Sequence, residues 1–270
     1  MDGEGATTAL VWTSAVQSGG GDGEGVGQMR GTERAFLGPR EASFVAQRLQ
    51  GLPRNVTLLS FTEKGCETCA AVERLAQEIS SVVPEVSAVT VDRADPDGGA
   101  RYAAYGIQRG PALAVTPDPT LRSDNGIRFH GFPGGYEFDS LLDAIARVAR
   151  GEHGLSTEMA SYLLELGATP MHLEVFVTPT CPYCPRMVQL AHHMALLSPA
   201  VRADMIDATE FPEWADRYFV RGVPLTVAFD GAVRVEGLVP EKRLLQELQK
   251  HLVGWRHGED AGTGDPREGT

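Results

Sequence analysis

Thr178-Pro179-Thr180-Cys181-Pro182-Tyr183-Cys184-Pro185 decides the reading of this 270-residue chain, because an earlier stretch, Lys64-Gly65-Cys66-Glu67-Thr68-Cys69, stands in register with it. Each cysteine of the second pair follows its counterpart by 115 residues, and the chain has no other cysteine. All the thiols therefore belong to two Cys-x-x-Cys pairs at one repeat distance, a chain organised around two small dithiol sites. Other landmarks keep step. Phe176 follows Phe61 and Asp207 follows Asp92 at the same offset, while Tyr218 follows Tyr105 and Pro224 follows Pro111 at 113.

Strand and helix patterns alternate around these landmarks. The first unit reads as helix Glu41–Leu49, strand Val56–Phe61, a helix opening at the first cysteine pair, strand Val86–Asp92 and a short helix near Ala100–Tyr105. Strands Ala112–Val115 and Ile127–His130 and helix Glu137–Arg150 complete it. The second unit repeats the order with helix Thr157–Leu166, strand His172–Val177, a helix from the second pair to Leu197, strand Val201–Asp207 and helix Pro212–Phe219. Strands Leu225–Phe229 and Val233–Glu236 and helix Glu241–Val253 follow. A strand, a crossover helix and a parallel strand, then a hairpin and a last helix, make a mixed sheet covered on both faces. The expected class is α/β: two tandem thioredoxin-like units, each a mixed central sheet flanked by helices, over residues 37–151 and 152–254. The hinge between them is expected near Gly151–Ser156.

A Cys-x-x-Cys where a strand hands over to a helix has a physical advantage. Unpaired N–H groups and the macrodipole at the helix start favour a thiolate on the first cysteine. The second cysteine, one turn on, can then attack a mixed disulfide. In the second site Pro182 suits the first helical turn, and Pro185 is tolerable in that same turn. In the first, Glu67 sets a carboxylate beside Cys66, partly offset by Lys64. Cys181 is thus expected to be the more acidic nucleophile, and its pair the more oxidising. Gly110-Pro111 and Val223-Pro224 each precede a strand, where thioredoxin-like folds carry a cis proline facing the dithiol. With Tyr183 they are the expected substrate contacts.

These residues resemble those of the glutaredoxin-like protein disulfide oxidoreductases. The likeness lies in Thr178–Pro185, in Asp204-Met-Ile-Asp-Ala-Thr-Glu-Phe-Pro-Glu213, in Tyr218-Phe-Val-Arg-Gly-Val-Pro224 and in Ile127-Arg-Phe-His-Gly-Phe-Pro-Gly-Gly-Tyr-Glu-Phe138. The resemblance covers residues 37–253. It implies thiol–disulfide exchange on disulfide-containing proteins, with Cys181 and Cys184 as the main catalytic pair and Cys66 and Cys69 as the second. It also implies electrons from a thioredoxin-reductase-like flavoprotein, with no cofactor or metal held by the chain. A relay from such a flavoprotein to a peroxiredoxin-type peroxidase is the first alternative. A structural zinc protein that binds the metal through all of its cysteines and a peptide-binding chaperone are the others.

The net charge of −12 argues against nucleic acid or anionic membrane as a partner. No apolar run approaches the ~20 residues needed to span a bilayer, and the short apolar stretch Thr8–Val16 follows Asp2 and Glu4 where a secretory signal would carry Lys or Arg, so the cytoplasm is expected. Residues 1–36, with Gly19-Gly-Gly-Asp-Gly-Glu-Gly25, and the tail 255–270 read as disordered, and Met29 offers a second start. His192 and His193 face different ways on one helix and read as packed or surface residues. Asp92 and Asp207 end strands and read as turn caps. The acid that often lies six residues before the first cysteine of a thioredoxin is replaced by Ser60 and Val175. That role is absent or filled from elsewhere, and strand alternation turns Glu174 the other way.

Overall fold

Val56–Thr62 is buried at all seven positions, the mark of a strand covered on both faces. In the computed structural model, which describes residues 35–117, 120 and 124–257, this strand (β1) is central to the first unit. The segments 1–34 and 258–270, the bulk of the stretches expected to be disordered, lie outside the described residues. Helix α1 (Pro39–Arg48) precedes β1, and crossover helix α2 (Cys69–Val82) leads to β2 (Val86–Asp92), parallel to β1. Helix α3 (Gly98–Ala104) follows. Strand β3 (Ala112–Thr116) pairs antiparallel on the other side of β1, and β4 (Ile127–His130) completes a hairpin before α4 (Glu137–Arg150).

The second unit repeats this with α5 (Thr157–Leu166), β5 (Met171–Val177), α6 (Cys184–Leu197), β6 (Val201–Asp207) and α7 (Pro212–Arg217). It closes with β7 (Leu225–Ala228), β8 (Val233–Glu236) and α8 (Glu241–His257). The repeat reaches side-chain contacts. Phe61 packs against Tyr105 with ring centroids 5.4 Å apart, and Phe176 against Tyr218 at 5.7 Å. Each pair anchors a small core under α3 or α7. The large core lies on the opposite face and draws on α1, α2, α4, α5, α6 and α8 together.

Two separate sheets were expected; one sheet is found. Its order is β2-β1-β3-β4-β6-β5-β7-β8, and β4 pairs parallel with β6 from Ile127 opposite Ala203 to His130 opposite Ile206. Gly126 permits the approach: its φ is +77° and a Cβ there would stand 2.5 Å from the Val201 carbonyl oxygen. An ion cluster crosses the seam. Buried Arg128 on β4 donates to Asp204 on β6 at 2.5 Å and to the Tyr105 carbonyl, while His172 on β5 lies 2.7 Å from Asp204. Burial alone would raise the Asp204 pKa, but Arg128, His172 and His130 hold the carboxyl well below its ordinary value. The Gly151–Ser156 segment connects α4 to α5, with Gly151 in the left-handed conformation at the α4 terminus. It is not the sole joint, since sheet and ions join the units as well.

Strands β1, β2, β4, β5 and β6 run in one direction, so their carboxyl ends share one edge of the sheet. Both dithiols follow such ends on that edge. Among the described residues, no helix is long and apolar enough to cross a membrane.

Candidate dithiol active sites

Each Cys-x-x-Cys closes as a disulfide, Cys66 with Cys69 and Cys181 with Cys184. In both units the helix begins at the second cysteine, and the first sits in the turn before it, its N–H bonded to Glu63 O at 3.3 Å or to Thr178 O at 3.1 Å. The expectation for the prolines is corrected accordingly. Pro185 occupies the first turn of α6, where its absent N–H costs no helix bond, and Pro182 lies in the preceding turn. Exposure separates the partners: Cys66 is half-buried and Cys69 5 % exposed, Cys181 7 % and Cys184 0 %. Tyr183 is 60 % exposed beside the second pair.

Gly110-Pro111 and Val223-Pro224 are both cis. Cys181 Sγ lies 3.8 Å from the Val223 carbonyl oxygen. A Cβ built at Gly110 would stand 3.0 Å from Cys69 Sγ and 2.9 Å from Phe61 O, so only glycine fits against the first dithiol. The structure thus brings each expected proline pair to its own dithiol. Glu67 and Lys64 are exposed. Other acids reach the first loop: Glu63 Oε1 accepts from Gly110 N–H at 3.0 Å, and Glu210 Oε2 accepts from Thr68 Oγ1 at 2.5 Å. Glu210 belongs to the second unit, and its other oxygen accepts from Phe132 N–H at 2.7 Å.

A buried acid that strand register could not reveal is linked through one hydroxyl to the residue after the second dithiol. Glu137 opens α4 of the first unit and is 1 % exposed. Gly135, with φ +59°, lets its loop close on the second-site turn, where Tyr136 N–H bonds Pro179 O at 3.3 Å. Glu137 Oε2 lies 2.6 Å from Ser140 Oγ, which lies 3.5 Å from the carbonyl of Pro185, the residue after Cys184. Its Oε1 has no hydrogen-bond partner. Burial pushes its pKa up to about 8, against the Ser140 bond, with Asp139 and Asp207 adding to the rise. A carboxyl so tuned can take or give a proton near neutral pH. The run Gly134-Gly-Tyr-Glu-Phe138 was legible in the sequence, but its approach to Pro179 and, through Ser140, to the Pro185 carbonyl was not.

Asp92 and Asp207 do cap turns, accepting from Ala94 N–H and Thr209 N–H at 2.8 Å each. His192 is buried and packs on Phe129, and burial pushes its pKa down to about 4. His193 bonds Asp143 at 2.6 Å. The four cysteines are not gathered into one set, since their disulfides follow strands four positions apart in the sheet.

The model for the thioredoxin domain matches residues 171–250. A protein disulfide oxidoreductase from Aeropyrum pernix superposes with a TM-score of 0.72 at 26% identity, covering 81% of this chain and 94% of that one. The F subunit of alkyl hydroperoxide reductase in Enterococcus faecalis gives a TM-score of 0.70 at 26% identity, covering 78% and 99%. Its Staphylococcus epidermidis counterpart is 32% identical over 142 residues, which is 53% of this chain and 27% of that protein. The chain spans well under half of the length of the curated relatives it matches, 27% in that case and 37% for an NADH dehydrogenase of Ferdinandcohnia aciditolerans. Fold and paired dithiols define a two-unit thioredoxin-like protein with one Cys-x-x-Cys in each unit. The chain is similar to the thioredoxin-like oxidoreductases, both the free-standing disulfide oxidoreductase and the F subunit of the peroxide reductase.

Proposed function

We infer that the chain exchanges disulfides with protein substrates through both Cys-x-x-Cys sites, the Cys181/Cys184 pair carrying most of the turnover. The observation that carries this reading is the surroundings of the second dithiol. Cys181, 7 % exposed, lies against the Val223 carbonyl of the cis-proline loop beside exposed Tyr183, while Cys184 is fully buried and the next residue, Pro185, is linked through Ser140 to the Glu137 carboxyl.

In the reducing direction the Cys181 thiolate attacks a substrate disulfide. One substrate sulfur leaves as a thiolate and a mixed disulfide forms. Cys184 gives up its proton towards Glu137 and attacks Cys181 Sγ, expelling the second substrate sulfur. The two leaving thiolates take up the proton Cys184 passed to Glu137 and one from water, matching the proton Cys181 released on forming its thiolate, so the substrate gains two electrons and two protons and the protein is left with its disulfide. Oxidation is the reverse, and a carboxyl near pKa 8 serves both directions.

The two sites act on partners separately. Four strand spacings between β1 and β5 amount to roughly 19 Å, far beyond the contact that sulfur exchange requires. A thioredoxin-reductase-like flavoprotein recharges them. The likeness to the peroxide reductase favours a second reading, a relay from a flavoprotein to a peroxidase. Cys184→Ser tests the main one: the variant should accumulate a mixed disulfide with a disulfide-bearing polypeptide, seen as a mass adduct, that Cys181→Ser does not form. Equal adducts in both variants would count against it.

A further inference from the structure

One contact at the first dithiol has no counterpart at the second. Gly110, the residue before its cis proline, is buried, and its N–H is taken by Glu63 Oε1 at 3.0 Å. The carboxylate is braced from behind. Arg93 Nη1 bonds Glu63 Oε2 at 2.7 Å and the Gln108 carbonyl at 2.9 Å, and its guanidinium lies 4.7 Å from the centre of the Tyr102 ring. Tyr102 in turn donates to Thr62 O at 2.7 Å. The main chain of Glu63 belongs to the same turn, since its carbonyl accepts from Cys66 N–H. In the second unit the position 115 residues on is Thr178, whose side chain is too short for this reach, and no side chain among the described residues takes the Val223 N–H.

A polypeptide that enters such a site in extended form pairs its backbone with the main chain before the proline, and its carbonyl needs an N–H donor. At the first site the donor is already satisfied by a charge-assisted bond. We propose that Glu63 is a latch that sets the substrate preference of the first site: it occupies the Gly110 N–H that an extended polypeptide would use, so that Cys66/Cys69 favours small disulfides over polypeptide disulfides. A small disulfide needs only the exposed edge of Cys66 and leaves the latch in place. A polypeptide has to displace Glu63 from Gly110 while Arg93 holds the carboxylate there. The two sites thereby divide the substrates by class. This rests on the exchange reading given above.

The test uses the full chain with Cys181→Ser/Cys184→Ser, so that only the first dithiol reacts. After reduction with dithiothreitol and its removal, second-order rate constants are measured for oxidised 2-hydroxyethyl disulfide and for insulin. The quantity read is their ratio. Glu63→Ala should raise the insulin-to-small-disulfide ratio about tenfold, the scale of one charge-assisted hydrogen bond. Glu63→Gln keeps an acceptor oxygen and should give a smaller rise. An unchanged or lower ratio in Glu63→Ala overturns the latch while leaving the exchange reading intact. No reaction with either probe in any of these proteins overturns the latch together with the first site's share in the exchange reading, and the Cys184→Ser adduct reads the second site's share separately.

Discussion

Thr68, which stands between the two cysteines of the first site, donates its hydroxyl proton to Glu210 of the second unit at 2.5 Å. The same carboxylate holds Phe132 N–H, in the loop that leads to Glu137 at the second site. One side chain therefore touches the turns that serve both dithiols.

Removing that negative charge should ease formation of a thiolate at Cys66. Glu210→Gln is expected to make Cys66/Cys69 more oxidising by about 15–30 mV, given that one pKa unit corresponds to about 30 mV for a two-electron couple. Redox titration against glutathione, with the second pair changed to serine, reads the shift. A move towards more reducing potentials would contradict it.

Glu137 sets a pH dependence. Its ordinary pKa of 4.5 rises to about 8 in the folded protein. Between these values the folded chain holds a proton that the unfolded chain has released, so stability falls as pH rises through this window and levels off above it. Glu137→Gln should flatten the decline, a difference on the order of a few kcal/mol. Urea unfolding of the oxidised protein at about pH 5 and about pH 8.5 measures it, and parallel curves for variant and parent would count against the assignment.

The seam between the units depends on Asp204. Its removal leaves the Arg128 guanidinium, whose side chain is 1 % exposed, short of its buried counter-charge. Asp204→Ala should cost about 3–5 kcal/mol, read as a lowered urea midpoint. A loss below about 1 kcal/mol, the scale of a surface pair, would show that the cluster is not what joins β4 to β6.

The two dithiols should differ in potential. Glu63, Glu67 and Glu210 crowd the first turn with carboxylates, whereas the second turn reads Cys-Pro-Tyr-Cys with no acid inside it. Cys181/Cys184 is expected to be the more oxidising pair, by tens of millivolts. Titration of each pair with the other changed to serine decides the order.

Much of this architecture was legible from repeat spacing and local pattern. Strand β2, strand β4 and helix α4 run where the local pattern puts them. The pairing of β4 with β6 was not legible. Nothing within Ile127-Arg-Phe-His130 announces a second partner strand, and only the tertiary partners of Arg128 make its burial intelligible. The acid of the second site was hidden for a related reason. Strand register searches within one unit, and Glu137 comes from the other, 44 residues ahead of Cys181. Glu63 and Glu210 were missed because their roles come from the Gly110 N–H and the Thr68 hydroxyl, long-range contacts with no spacing signature.

Insulin disulfide reduction by the parent chain, by Cys66→Ser/Cys69→Ser and by Cys181→Ser/Cys184→Ser, each supplied with dithiothreitol, tests the central claim most directly. Catalysis by the parent, largely kept when the first pair is removed and largely lost when the second is removed, is the predicted result. A parent chain no faster than dithiothreitol alone would contradict the account.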